Sequence, residues 1–271
     1  MAEGDSADPV ALRDRGRELE SRGDAAGAEA AYRGALDGGD ASAGVWLGLL
    51  MERRGATGEA EAAYAAADNG GNPGGSLALG AFFERLGRLE DAADAYRRAG
   101  SRGLVEGDIQ HGDLLARSGD LAGAEVAFRR AHDAGDLVGS RGLGFALKLA
   151  GKHDEAALVW READRHGDAE GAYQHGCVLA NAGDLAGAED AYRRADERGH
   201  ADAPSNLAQL LDERGQSAEA EQAARRADER GSPSGAYNLG VMLKRRGDKT
   251  GARQAAKRAK ERGHKFDADI P

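Results

Sequence analysis

Glycines at a fixed spacing constrain this chain more than any other feature of it. Gly23, Gly55, Gly87, Gly119, Gly151, Gly183, Gly215 and Gly247 recur every 32 residues. Gly39, Gly71, Gly103, Gly135, Gly167, Gly199, Gly231 and Gly263 keep the same period, offset by 16. A third series runs through Gly16, Gly48, Gly80, Gly112, Gly144 and Gly176, takes Ala208, and returns at Gly240. These series hold 23 of the 41 glycines, so the glycine content is punctuation and not low complexity. A constant period of this size marks an array of stacked supersecondary units. No insertion breaks the register, and no linker marks a second domain. The expectation is one domain, 8–263, of eight units: 8–39, 40–71, 72–103, 104–135, 136–167, 168–199, 200–231 and 232–263. Residues 1–7 and 264–271 read as tails, the first of them flexible.

Within each unit, numbered 1 to 32, the glycines at positions 16 and 32 bound two stretches of helical periodicity. In the first, small or apolar residues fall near positions 5, 8, 9 and 12, as in Ala236, Leu239, Gly240 and Leu243. In the second, positions 21 and 28 are alanine in all eight units, from Ala28 to Ala252 and from Ala35 to Ala259. Position 25 reads Tyr32, Tyr64, Tyr96, Phe128, Trp160, Tyr192, Ala224 and Ala256. Spacings of three and four give each helix one apolar stripe. Asp8-Pro9, Asn72-Pro73 and Ser232-Pro233 place a capping side chain before a proline at the first helical position. Asp24, Asp120, Asp184 and Asp248 are placed to cap second helices, and glycine suits a left-handed helix end. Each unit is thus expected to be a helical hairpin. The small residues at 9, 21 and 28 allow close approach, and the ring at 25 fills the gap toward the next unit.

Composition narrows the function. The net charge of −10 argues against a general nucleic-acid binder, which needs a basic footprint. A single cysteine, Cys177, excludes an internal disulfide and a cysteine-only metal site. No apolar run approaches the length of a membrane span, and the N-terminus lacks a signal-peptide pattern. The expectation is a soluble, cytoplasmic protein.

The unit resembles the tetratricopeptide repeat (TPR). That family has a Leu-Gly pair and a bulky residue in its first helix, Gly at the turn, and Ala, aromatic and Ala in its second. Here these are Leu239-Gly240, Leu243, Gly247 and Ala252, Ala256 and Ala259, with the fuller second helix Ala188, Tyr192 and Ala195 in unit 6. The resemblance covers Asp8 to Gly263. The period of 32 departs from the family's usual 34, and Gly stands where a helix-ending Pro often sits. The Sel1-like repeat is a close alternative of longer period. The resemblance implies an all-α, right-handed superhelical solenoid of eight helix-turn-helix repeats, with first helices lining a concave groove.

Positions 3, 6, 7, 10, 13 and 14 lie off the packing stripe and vary between units. Position 7 gives Gln110, Gln174, Asn206 and Asn238. In the resembled family, Asn in a Tyr-Asn-Leu-Gly run often bonds the backbone of a bound peptide. Tyr237-Asn238-Leu239-Gly240 matches that run, and a carboxamide offers both donor and acceptor. A solvated polar residue is the plainer reading. Position 14 gives Arg53, Arg85, Arg117 and Arg245, either a strip for carboxylates or bases favouring the helix dipole, with Glu52 and Glu84 diluting their field. Trp46, Phe145 and Tyr173 are the candidate aromatic anchors, weighed against packing between helices.

The last unit differs. From Ser232 to Pro271 there are ten basic and four acidic residues, +6, against −16 elsewhere. It reads as a polar cap, or as a basic patch for an acidic partner, a membrane surface or nucleic acid. No catalytic constellation or cofactor motif is present. His111 and His175 share position 8, two units apart, too far for one metal, and read as hydrogen-bonded, half-buried histidines. The expected role is non-enzymatic: an adaptor or scaffold holding a protein or peptide segment in its groove. The alternatives are a ligand-binding regulator or docking through the basic last repeat.

Overall fold

The computed structural model describes residues 8–265, so 1–7 and 266–271 of the expected tails lie outside it. Among the described residues there are sixteen α-helices and no strand. They divide into two compact units between Ala150 and Gly151. The first holds α1 (Pro9–Ser21), α2 (Ala25–Asp37), α3 (Ala43–Arg53), α4 (Thr57–Asn69), α5 (Pro73–Arg85), α6 (Leu89–Ser101), α7 (Val105–Ser118), α8 (Leu121–Asp133) and α9 (Leu137–Leu149). The second holds α10 (His153–Arg165), α11 (Ala169–Asn181), α12 (Leu185–Glu197), α13 (Ala203–Glu213), α14 (Ser217–Glu229), α15 (Pro233–Arg245) and α16 (Lys249–Glu261). Each is an all-α solenoid segment in which helices pack in sequence order. In the first, α3 also packs on α5, α5 on α7 and α7 on α9; in the second, α13 packs on α15. Thus α3, α5, α7 and α9 form one layer of the first unit, and α13 and α15 pair in the same way in the second.

The helix ends follow from local chemistry. Asp8, Asn72 and Ser232 accept from the backbone N–H of Val10, Gly75 and Gly235. Asp24, Asp120, Asp184 and Asp248 cap the second helices of their repeats in the same way. The glycines at positions 16 and 32 all have positive φ. At Gly119 φ is 88°, yet a Cβ there would meet nothing within 4 Å, so backbone conformation and not space selects glycine.

The third glycine series has the opposite cause. A Cβ on Gly80 would lie 2.6 Å from the Tyr96 ring, and one on Gly48 would lie 2.4 Å from Tyr64. In repeats 1–4 and 6 the ring at position 25 therefore lies over the glycine of its own repeat, where it was expected to fill the gap toward the next. It reaches the next repeat as well, for Tyr64 and Phe82 are 5.7 Å apart. Burying such a side chain contributes about 1.5–3 kcal/mol. Repeat 7, with Ala208 and Ala224 at these positions, exchanges the ring-on-glycine contact for two methyls. The first unit's main core gathers Tyr32, Leu47, Tyr64, Leu79, Phe82, Tyr96 and Leu114, and the second's Tyr192, Leu207, Leu211, Leu239 and Leu243.

A ladder of ion pairs ties second helices together. Asp68 is bound by Arg98 and Arg102, Asp164 by Arg194 and Arg198, Asp196 by Arg226 and Arg230, and Asp228 by Arg258 and Arg262. Each aspartate is buried at position 29, and its arginines stand at positions 27 and 31 of the next repeat. Burial alone would raise the Asp164 carboxyl, but bonds from Arg194, His175 and Arg198 outweigh it and hold it well below the usual carboxylate range. Asp68 and Asp228 are lowered on the same balance.

Candidate functional site

Two clefts open on odd-numbered helices. In the second unit, a cleft of about 320 Å³ between α13 and α15 is lined by Gln209, Asp212, Glu213, Tyr237, Asn238, Val241, Met242 and Arg245. It gathers three residues singled out from the sequence: Tyr237, Asn238 and Arg245. In the first unit, a cleft of about 510 Å³ on α7 is lined by Gln110, Asp113, Ala116 and Arg117. It brings Gln110 and Arg117 together.

Asn238 is half-buried because α15 packs on α13. Its Nδ2 donates to the carbonyl and hydroxyl oxygens of Ser205, at 3.2 and 3.1 Å. Its Oδ1 has no donor among the described residues and remains open to an incoming N–H. Asn206 points elsewhere, its Nδ2 lying 3.5 Å from the Tyr173 hydroxyl and 3.7 Å from Cys177 Sγ. Gln174 is buried, and its Nε2 donates to Glu170 at 2.7 Å. Gln110 makes the equivalent bond to Glu106 at 2.6 Å.

The arginines at position 14 do not stand as a free strip. Arg53 pairs with Glu20, Arg85 with Glu52, Arg117 with Glu84 and Arg245 with Asp212. Each acid stands at position 13 of the preceding repeat. Three of these glutamates also accept from the tyrosine of their own repeat: Tyr32 to Glu20, Tyr64 to Glu52 and Tyr96 to Glu84, at 2.7–2.8 Å. Neighbours i and i+1 on a helix face apart, so Glu52 serves Arg85 and not Arg53.

The aromatic candidates divide. Trp46 is partly buried against the first unit's core, with Arg17 4.9 Å above its ring. Phe145 is exposed on α9. Tyr173 stacks on His200 at 4.2 Å, and burial pushes its hydroxyl up to about 12. Tyr237 stacks on His264 at 4.6 Å, at one edge of the α13–α15 cleft.

Sequence reasoning did not single out Val241, Met242, Gln209 or Asp212. Position 10, which carries Gln209 and Val241, was already on the variable face and was the available signal. His200 proves structural: its Nδ1 accepts from the backbone of Asp202 and Ala203, and its Nε2 meets Glu170 at 3.1 Å. His175 is hydrogen-bonded to Asp164 as expected, at 3.0 Å. His111 differs, since its buried Nδ1 has no partner among the described residues, and burial lowers its pKa. Among the described residues, no cluster of His, Cys, Asp and Glu is arranged to hold a metal, and no helix is long and apolar enough to cross a membrane.

Residues 173–236 and 205–266 match the tetratricopeptide repeat family model. No curated protein matches the chain. Among solved structures, a protective antigen of uropathogenic Escherichia coli strains displaying an SLR fold is similar, with 21% identity and a TM-score of 0.71. The match covers 94% of this chain but 62% of the antigen, so the chain spans less than two thirds of that protein. A tetratricopeptide repeat protein from Parabacteroides merdae is 16% identical, covering 98% of this chain and 95% of its own, with a TM-score of 0.48. YrrB, described as a TPR protein with an unusual peptide-binding site, is 21% identical over 64% of this chain and 94% of its own, with a TM-score of 0.47. Residues 173–266 thus match the tetratricopeptide repeat model, the 32-residue unit continues in register back to Asp8, and the chain is an all-α helical-hairpin repeat protein similar in fold to a protein of the SLR type.

Proposed function

We propose that the protein is a non-enzymatic interaction scaffold whose odd-numbered helices hold a segment of a partner protein, with the α13–α15 cleft as the principal contact. The carrying observation is the mixed lining of that cleft. Val241, Met242 and Tyr237 offer apolar surface, the Asn238 carbonyl an acceptor, and Asp212 and Glu213 charge at the rim. An extended segment laid there would give a backbone N–H to Asn238 Oδ1 and an apolar side chain to Val241 and Met242. The uninterrupted register supports treating 8–263 as one array of eight repeats. The basic last repeat fits a cap better than a docking patch, because Arg245, Arg246, Arg258 and Arg262 pair with acids of the preceding repeat. The test is the affinity of a mapped partner segment for wild type and for Val241→Asp, with helicity followed by circular dichroism. A loss of about tenfold or more, equivalent to about 1.4 kcal/mol, is expected with unchanged helicity. Unchanged affinity contradicts the proposal.

A further inference from the structure

On the even-helix side of the second unit lies a cleft of about 380 Å³ lined by Arg161, Asp164, Arg165, His175, Arg194 and Arg198. Four guanidiniums face one carboxylate, a formal +3 from these five groups, in a chain whose net charge is −10. Asp164 is saturated: it accepts from Arg194 at 2.6 and 3.1 Å, from Arg198 at 2.8 Å and from His175 at 3.0 Å. Its bonds orient Arg194 and Arg198 but leave Nη1 of the first and Nε and Nη2 of the second with no acceptor among the described residues. Arg161 and Arg165 make no ion pair among the described residues. The acids Asp190 and Glu197 act on Arg194 along α12 without lining the cleft.

The other repeats show what is unusual here. Their arginine at position 26 is commonly paired with a glutamate one turn earlier, at position 22: Glu29 with Arg33, Glu125 with Arg129, Glu189 with Arg193 and Glu221 with Arg225. In repeat 5 that glutamate is Ala157, which leaves Arg161 unneutralised. Position 30 is acidic at Asp37, Asp133, Glu197, Glu229 and Glu261, and basic at Arg165 alone. One repeat further on, the corresponding cleft is lined by Arg193, Asp196, Glu197, Leu207, Arg226 and Arg230, three bases against two acids. The basic surplus at this step is thus +3, against +1 at the next.

We propose that this cleft binds a phosphate monoester. Planar guanidiniums present paired N–H groups that match phosphoryl oxygens, and four of them converging favour a dianion over a single carboxylate. The ligand reaches the outer face independently of the odd-helix clefts, so the proposal stands or falls apart from the scaffold reading.

The test is isothermal titration calorimetry on the whole chain, at physiological ionic strength, with three probes. They are free O-phosphoserine, a phosphoserine peptide with uncharged flanks, and the same peptide carrying glutamate in place of phosphoserine. Binding of at least one phosphorylated probe is expected, about tenfold or more tighter than the glutamate peptide. Equal affinity of free and peptide-borne phosphoserine assigns a small phosphorylated molecule; preference for the peptide assigns a phosphorylated protein segment. Arg161→Gln with Arg165→Gln removes exposed, unpaired side chains, and is expected to weaken binding about tenfold or more with an unchanged thermal midpoint. Ala157→Glu with Arg165→Glu, which restores the acids seen elsewhere, is expected to abolish it. Absence of binding by both phosphorylated probes, equal affinity for the glutamate peptide, or unchanged affinity in either double variant overturns the proposal.

Discussion

At Gly80 one hydrogen atom decides whether a repeat closes. A Cβ there would sit 2.6 Å from the Tyr96 ring, so replacing glycine by alanine forces the ring or the helix to move. In a helix interior that substitution ordinarily stabilises by about 1 kcal/mol. Gly80→Ala is expected to destabilise, by about 1–3 kcal/mol of overpacking. Gly240 provides the control: Ala256 replaces the ring, and the nearest atom to a Cβ is Ala252 O at 3.4 Å. Gly240→Ala is expected to be neutral or stabilising. Urea denaturation of both variants checks the pair, and equal effects at the two sites would contradict the ring-on-glycine contact. Much of this was legible, because glycine and aromatic recur in the same unit and disappear together in repeat 7. The direction of the ring was not, since a repeat pattern states which positions are constrained and not which copy they touch. Asn238 shows the same limit: its helix face was readable, but its bond to Ser205, a residue 33 positions away, was not.

Between elements, the energetic interest lies in the aspartates at position 29. Their partners come from the next repeat, 30 and 34 residues on, as with Arg258 and Arg262 at Asp228. The sequence displays the ladder in the recurring Arg-Arg-Ala-Asp-Glu-Arg-Gly of 193–199 and 225–231, yet within one helix these charges look like an ordinary solvated face. Only stacking reveals that the carboxylate is buried. Asp68, Asp164 and Asp228 are held below the unfolded aspartate value of about 3.9. Their contribution is therefore complete above that value and is lost as pH falls through the folded values. Urea midpoints are expected to fall below about pH 4, and less steeply in Asp228→Asn than in wild type. At neutral pH, Asp228→Asn is expected to cost about 1–3 kcal/mol, less than for a fully buried pair because its arginines are partly exposed. A pH profile identical to that of wild type would contradict the ladder.

For the whole molecule, the number of repeats and the two-helix hairpin were legible because the register never slips. Superhelical curvature was not, because it depends on small rotations between hairpins set by side-chain volumes, which a pattern of small and large positions does not specify. Charge follows the same division. The basic surplus of the last repeat was visible in the composition, but four of its arginines turn back to pair with the preceding repeat, at Asp212, Glu221 and Asp228. On the odd helices of the second unit, the proposed recognition surface is the cleft around Val241, Met242 and the Asn238 carbonyl. Amide hydrogen exchange of the chain with and without its bound partner segment tests that role most directly. Protection is expected on α13 and α15; protection confined to the even-numbered helices α14 and α16 would contradict it.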